Sequence, residues 1–87
     1  MSFSIEYDKQ PQHFLKKGDP PLVKRIIDKI EELLEEHPVP HTAKVIVGEH
    51  GVFRIRIGDY RALYRIDYSA KKVIIITIEK RSHIYER

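Results

Sequence analysis

Val52-Phe53-Arg54-Ile55-Arg56-Ile57-Gly58-Asp59-Tyr60-Arg61-Ala62-Leu63-Tyr64-Arg65 is the stretch on which the fold turns. Successive side chains of a strand point to opposite faces. Phe53, Ile55 and Ile57 therefore share one face, and Arg54 and Arg56 share the other. Gly58-Asp59 has the length and composition of a two-residue hairpin turn. Such a turn sets Ile57 opposite Tyr60, Arg56 opposite Arg61, Arg54 opposite Leu63 and Val52 opposite Arg65. Tyr60, Ala62 and Tyr64 then join the core side, while Arg54, Arg56, Arg61 and Arg65 project from the other.

Like charges directly opposite on a hairpin cost from tenths of a kcal/mol to about one. Arg56 and Arg61 have no carboxylate beside them in sequence. Two readings fit this pair: a bound anion removes the repulsion, or both guanidinium groups swing apart into water.

Outward from the hairpin, the chain alternates helix and strand signals. Ser2 to Tyr7 sets Phe3, Ile5 and Tyr7 against Ser4 and Glu6, a strand period. Asp8 can cap a short helix over Lys9 to Lys17, with Pro11 in its first turn, and Gly18-Asp19-Pro20 breaks it. A second helix starts at Pro20 or Pro21 with Asp19 as cap. Its residues Leu22, Val23, Ile26, Ile27, Ile30, Leu33 and Leu34 form one apolar stripe, and His37-Pro38-Val39-Pro40 ends it. Ala43 to Val47 reads as a strand leading to a turn at Gly48-Glu49-His50-Gly51. Tyr60 to Tyr68 and Lys72 to Lys80 read as the last two strands, joined by Ser69-Ala70-Lys71. The run Val73-Ile74-Ile75-Ile76 predicts burial on both faces for part of its length. The expected fold class is α+β: one domain over residues 1–87, βααβββ(β), with an antiparallel-rich sheet and an N-terminal helical hairpin packed on one face.

Composition narrows the function classes. A chain of 87 residues buries only about 60–65 % of its unfolded surface, so burial against a partner would help it. With no cysteine there is no disulfide or thiolate metal site. No apolar run approaches the roughly 20 residues that span a bilayer, and Met1 to Gln10 lack the apolar block of a signal peptide. A cytoplasmic protein without membrane contact is expected. Residues 1–43 carry a net charge of −2 and residues 44–87 a net charge of +5, which directs the second half at a polyanion. Lys80, Arg81, His83, Tyr85 and Arg87 interleave base, imidazole and phenol, a mixture that suits single-stranded RNA and equally describes a frayed polar terminus. His37 and His41 flank Pro-Val-Pro with no third ligand nearby, and His13 and His50 read as surface residues, so no metal and no cofactor is expected. No Walker loop, GxGxxG motif or nucleophile elbow occurs.

An aromatic followed by Arg54-Ile55-Arg56-Ile57, then Gly58-Asp59-Tyr60-Arg61-Ala62-Leu63-Tyr64, then Glu79-Lys80-Arg81 and the late Tyr85, resembles the RelE branch of the RelE/ParE toxins. The resemblance covers nearly the whole chain. It implies a ribosome-dependent mRNA endoribonuclease that inhibits translation without a metal. The substrate's 2′-OH would attack the adjacent phosphate and leave a 2′,3′-cyclic phosphate and a 5′-OH. Carried over by position, Arg61 and Arg81 would bind the scissile phosphate. Arg56 would add to their field and lower the pKa of Tyr85, which would take the 2′-OH proton or stack on a base. Arg54, Arg65, Lys80 and His83 are the implied RNA contacts. Several relatives carry lysines where this chain has Arg54 and Arg56. Arginine stays protonated to about pH 12, so the proton work falls to Tyr85 or His83.

The resemblance also implies partners: a cognate antitoxin, the ribosome and mRNA, with a heterotetramer of two toxins and two antitoxins as a possible assembly. Two other readings keep the fold. One is a ParE-like poison of DNA gyrase, against which the presence together of Arg56, Arg61, Arg81 and Tyr85 argues. The other is a non-catalytic RNA-binding or interaction module.

Overall fold

The computed structural model describes residues 2–41, 43–45 and 51–80. In chain order the elements are β1 (Ser4–Tyr7), α1 (Lys9–Lys17), α2 (Pro20–Leu34), β2 (Lys44–Val45), β3 (Val52–Ile57), β4 (Tyr60–Asp67) and β5 (Lys72–Lys80). The strands form one five-stranded sheet in the order β1-β5-β4-β3-β2. β2 to β5 pair antiparallel in sequence, and β1 returns to lie parallel beside β5. The sheet is thus mixed, within the α+β class expected. The parallel pair arises because α1 and α2 carry the chain across the sheet before β2 begins, and a long crossover is what a parallel neighbour needs.

Capping chemistry sets the first helix. Asp8 stays extended, and its carboxylate accepts from the Lys9 amide at 2.9 Å. The helix stops at Gly18, where a Cβ would stand 2.7 Å from Val23 Cγ2, so a larger residue there would have to displace the Val23 side chain. Asp19 holds the cap position of α2, but its side chain makes no capping hydrogen bond. Pro20 and Pro21 occupy the first two helical positions and bring no N–H, which leaves the Leu22 amide as the remaining usual cap donor. The Asp19 carbonyl instead accepts from the Val23 amide at 2.8 Å.

The α2 stripe is the floor of the core. Ile26, Ile30 and Leu34, four apart, are essentially fully buried. They pack against Ile55 and Ile57 of β3, Ala62 and Tyr64 of β4, and Val73, Ile75 and Ile78 of β5. Phe53 stacks on its cross-strand neighbour Tyr64 with centroids 5.7 Å apart. The Tyr64 hydroxyl donates to the Pro38 carbonyl at 2.6 Å, tying the segment after α2 to the sheet. On the far side, β1 ends at Tyr7, and the Gln10 side-chain amide takes over its pairing. It donates to the Ile78 carbonyl at 3.0 Å and accepts from the Ile78 amide at 2.8 Å.

Element ends differ from expectation in three places. β1 begins at Ser4 rather than Ser2. β2 covers Lys44–Val45 of the expected Ala43 to Val47, the remainder falling partly in residues 46–50, outside the described residues. β4 stops at Asp67, one residue early, because the Asp67 carboxylate accepts from the Ala70 amide (3.1 Å) and the Ser69 hydroxyl (2.9 Å) and begins the turn there.

Tyr7 gives a first prediction. Its buried hydroxyl has no hydrogen-bond partner among the described residues. Burial pushes its pKa up to about 12, with the carboxylates of Glu31 and Glu35 adding to the shift. Leaving a buried polar group unpaired costs about 1–3 kcal/mol, so Tyr7→Phe is expected to raise the melting temperature by a few degrees, at about 4–8 °C per kcal/mol. The folded pKa lies above the unfolded one, so the neutral phenol's contribution is complete below pH 10 and is lost as pH climbs toward 12. The Phe variant should escape that part of the alkaline decline. A lower melting temperature at neutral pH would show that the hydroxyl is bonded after all.

Candidate functional site

The hairpin of β3 and β4 has the register its alternation predicts: Ile57 pairs with Tyr60, Arg56 with Arg61, Arg54 with Leu63 and Val52 with Arg65. Gly58 makes this possible, holding φ at +59°, the positive angle that a type II′ turn needs at its first central position. Arg54, Arg56, Arg61 and Arg65 consequently alternate away from the core residues Ile55, Ile57, Ala62 and Tyr64.

These four arginines do not share one environment. Arg56 and Arg65 are exposed and Arg54 is half-buried. Arg61 retains only 3 % of its surface and is the one charged residue buried among the described residues. Arg65 stands four residues from Arg61, or about 13 Å along the strand, too far to share a single phosphate with it. The close group is Arg54, Arg56 and Arg61.

The next strand brings a residue that sequence reasoning missed. Between β4 and β5 the register slips: Tyr64 pairs with Ile75, but Leu63 pairs with Thr77. Ile76 is the extra residue of a bulge, and one extra residue swaps the faces of everything beyond it. Ile78 therefore joins the core, Glu79 comes opposite Arg61, and Lys80 comes opposite Tyr60. Lys80, which the basic tail would place on the arginine face or at its edge, lies on the helix side. There it lines a cavity of about 530 Å³ with residues of α2 such as Arg25 and Lys29 and with Tyr60. Glu79, half-buried, is instead the carboxylate on the arginine face. An unbroken alternation along β5 would have exchanged the two.

At the β2–β3 edge an open cavity of about 570 Å³ is lined by Lys29 and Leu33 from α2, His41, Lys44 of β2, and Arg54 and Arg56 of β3. Four of these six residues carry a fixed positive charge and none is a carboxylate. Such a concavity focuses positive potential and attracts anions. Lys29 pairs with Glu32 at 3.7 Å on the exposed face of α2. Pairs of that kind contribute about 0–1 kcal/mol.

Arg81, His83 and Tyr85 lie outside the described residues, as does His50. His13, His37 and His41 are exposed. Among the described residues no group of three His, Cys, Asp or Glu side chains is placed to hold a metal ion, and no helix is long and apolar enough to cross a membrane. The described site offers cationic donors at defined spacing, suited to binding and stabilising a phosphate.

Comparison with known proteins gives consistent likenesses. The family model described as ParE toxin of type II toxin–antitoxin system, parDE, matches residues 5–85. A curated protein of Methanocaldococcus jannaschii named "Putative toxin RelE1" is 30% identical over 89 residues, covering 99% of this chain and 98% of that one. The toxin–antitoxin complex RelBE2 of Mycobacterium tuberculosis contains a chain that superposes with a TM-score of 0.82 at 25% identity, over 94% of each chain. The intact RelBE complex of E. coli gives 0.75 at 20% identity, over 98% of this chain and 99% of that chain, a likeness of fold.

Proposed function

The chain belongs to the ParE toxin family of type II toxin–antitoxin systems, and on that premise we propose that it is a RelE-like endoribonuclease that cuts mRNA on the ribosome. The observation that carries this reading is the cross-strand pair Arg56–Arg61, with Arg54 two residues away on the same face. Guanidinium groups gathered on one face can donate together to a phosphodiester, an anion that accepts from both.

The proposed reaction uses the substrate's own nucleophile. The 2′-oxygen forms a bond to the adjacent phosphorus, the bond from phosphorus to the 5′-oxygen breaks, and the products are a 2′,3′-cyclic phosphate and a 5′-OH. Arg56, Arg61 and Arg81 would hold the extra negative charge of the phosphorane. Arg61 is nearly buried, so the entering phosphate would have to displace its present surroundings, and the exposed Arg56 would meet the substrate first. Arginine does not release its proton near neutrality. The 2′-OH proton would pass to Tyr85, or to His83, and a proton would be supplied to the 5′-oxygen. Arg65, by its distance along β4, would contact RNA away from the scissile phosphate, as would Arg54. Lys80, on the helix side, would serve the RNA only at the rim of the sheet.

The relatives solved as toxin–antitoxin complexes support a cognate antitoxin as the main partner, and a heterotetramer of two toxins and two antitoxins in the cytoplasm is one assembly the proposal allows. No membrane partner is proposed. The family description also covers the ParE name, and a gyrase poison is the reading the test must separate. Purified chain added to translating ribosomes should cut the mRNA at the A site and leave a cyclic phosphate end. Cutting should persist with a zinc-selective chelator that spares ribosomal magnesium. Intact mRNA together with trapped gyrase–DNA cleavage complexes would overturn the reading, and cutting of free RNA at the same rate would point to a different nuclease.

A further inference from the structure

We propose that the cavity lined by Lys29, His41, Lys44, Arg54 and Arg56 is a second phosphate subsite. It would hold the backbone of the single-stranded RNA next to the phosphate that is cut. This deepens the nuclease reading and rests on it for the identity of the strand, but it makes a separate claim about where that strand runs.

The cavity's volume of about 570 Å³ exceeds what one phosphate and its ribose occupy, and its described lining brings together two lysines, two arginines and a histidine. The cations come from three elements that meet only in the folded chain: α2, β2 and β3. Lys44 pairs directly with Arg54 across the sheet edge, another like-charged pair that an anion would relieve. Among the described residues Lys29 forms an ion pair with Glu32, at 3.7 Å and in solvent, a contact weak enough to give way to a phosphate.

Continuity with the cleavage row favours RNA over an acidic peptide. Arg56 belongs both to the cavity wall and to the pair with Arg61. A strand whose phosphate sits between Arg56 and Arg61 must leave that point in some direction. Arg54, two residues along β3 and about 7 Å away, leads into the cavity at a step close to that between neighbouring phosphates of an extended RNA. Lys44 and Lys29 then continue the line of charge. Contacts of this kind position the strand and do not read its sequence.

The test is binding rather than cutting. The probe is a short single-stranded oligoribonucleotide whose 2′-hydroxyls are methylated, so that it cannot be cleaved. It is titrated by fluorescence anisotropy against the wild-type chain, the K29Q/K44Q double variant and a K16Q/K17Q control. The control loses the same charge at the end of α1, an element that packs over β5 rather than β3. K29Q/K44Q should weaken binding at least about tenfold at low salt and reduce the slope of log affinity against log salt by about 1.4, the value for two phosphate contacts on a single strand. The control should do neither, and all three proteins should melt alike. Equal weakening by both double variants would reduce the effect to net charge and overturn the subsite, as would no weakening by either. Unchanged RNA binding with lost affinity for an acidic peptide would make the cavity a peptide site, against the proposal. The two readings fail separately. A chain that binds the probe through these lysines but leaves ribosomal mRNA intact loses the nuclease and keeps the subsite. A chain that cuts normally while K29Q/K44Q binds like wild type loses the subsite alone.

Discussion

On the nuclease reading proposed above, Arg56→Ala is expected to lower the single-turnover rate of mRNA cleavage on programmed ribosomes by about 10²–10³-fold, the usual cost of removing one donor to a developing oxyanion. The expectation is large because of where the residue stands. Arg56 is exposed and faces Arg61 across the hairpin, so it is the cation that an incoming phosphate reaches without rearrangement of the core. Its backbone is held by the β3–β4 ladder, which the substitution leaves intact. Surface substitutions away from packed features change stability by about half a kcal/mol or less, so the melting temperature should stay within a few degrees of wild type. The rate and the fold are thereby separated, which Arg61→Ala would not achieve, since Arg61 is buried. Arg56→Lys refines the prediction. It keeps the charge but replaces a planar two-pronged donor by a point charge, and should recover part of the loss. Growth inhibition by the Ala variant should fall in parallel. An Arg56→Ala protein that cuts at the wild-type rate would remove the hairpin pair from the reaction.

How much of this site could be read from the residues alone depends on whether each piece was local. The β3–β4 register was legible because two facts sufficed: strict alternation from Val52 to Ile57 and a two-residue turn whose glycine takes a positive φ. The α2 stripe was legible for the same kind of reason, since Ile26, Ile30 and Leu34 recur at a helical interval. The β1–β5 pairing was not, because a strand's own period says nothing about its neighbour. The position of Glu79 and Lys80 was lost to one bulge residue, Ile76. Nothing in the run Val73 to Ile78 marks which isoleucine is extra; the burial of both Ile75 and Ile78, three apart, reveals it only in the folded chain. Lys29 and Lys44 were hidden differently. Each looks like an ordinary solvated lysine in its own element, and their shared cavity exists only because α2 and β2 are brought to the same edge of β3.

Ile30→Ala should be the most damaging change outside the arginine row, and it acts on the platform that holds the row in place. Ile30 is fully buried at the centre of the α2 stripe, between Ile26 and Leu34 and in the cluster with Ile55 and Ile57, the core-facing residues that alternate with Arg54 and Arg56. Truncating a buried isoleucine to alanine costs about 2–5 kcal/mol, the larger values where the surroundings cannot collapse into the void. A sheet on one side and a helix pinned between Gly18 and the prolines on the other leave little room to collapse, so the upper half of that range is expected. Domains of this size have stabilities of about 0.05–0.15 kcal/mol per residue, so the loss is a large fraction of the total. The melting temperature should fall by 10 °C or more, at about 4–8 °C per kcal/mol, whereas Ile30→Val, at about 0.5–1.5 kcal/mol, should shift it only modestly. Denaturant titration should show a lower midpoint with an unchanged slope, the mark of altered stability rather than altered compactness. A protein that binds only the folded toxin stabilises it in proportion to the logarithm of its concentration over its dissociation constant. Ile30→Ala should therefore be recovered better when co-produced with its antitoxin than alone, while its cleavage rate per folded molecule stays near wild type at low temperature. A melting temperature within two degrees of wild type would mean that α2 is not the support on which the arginine-bearing strands rest.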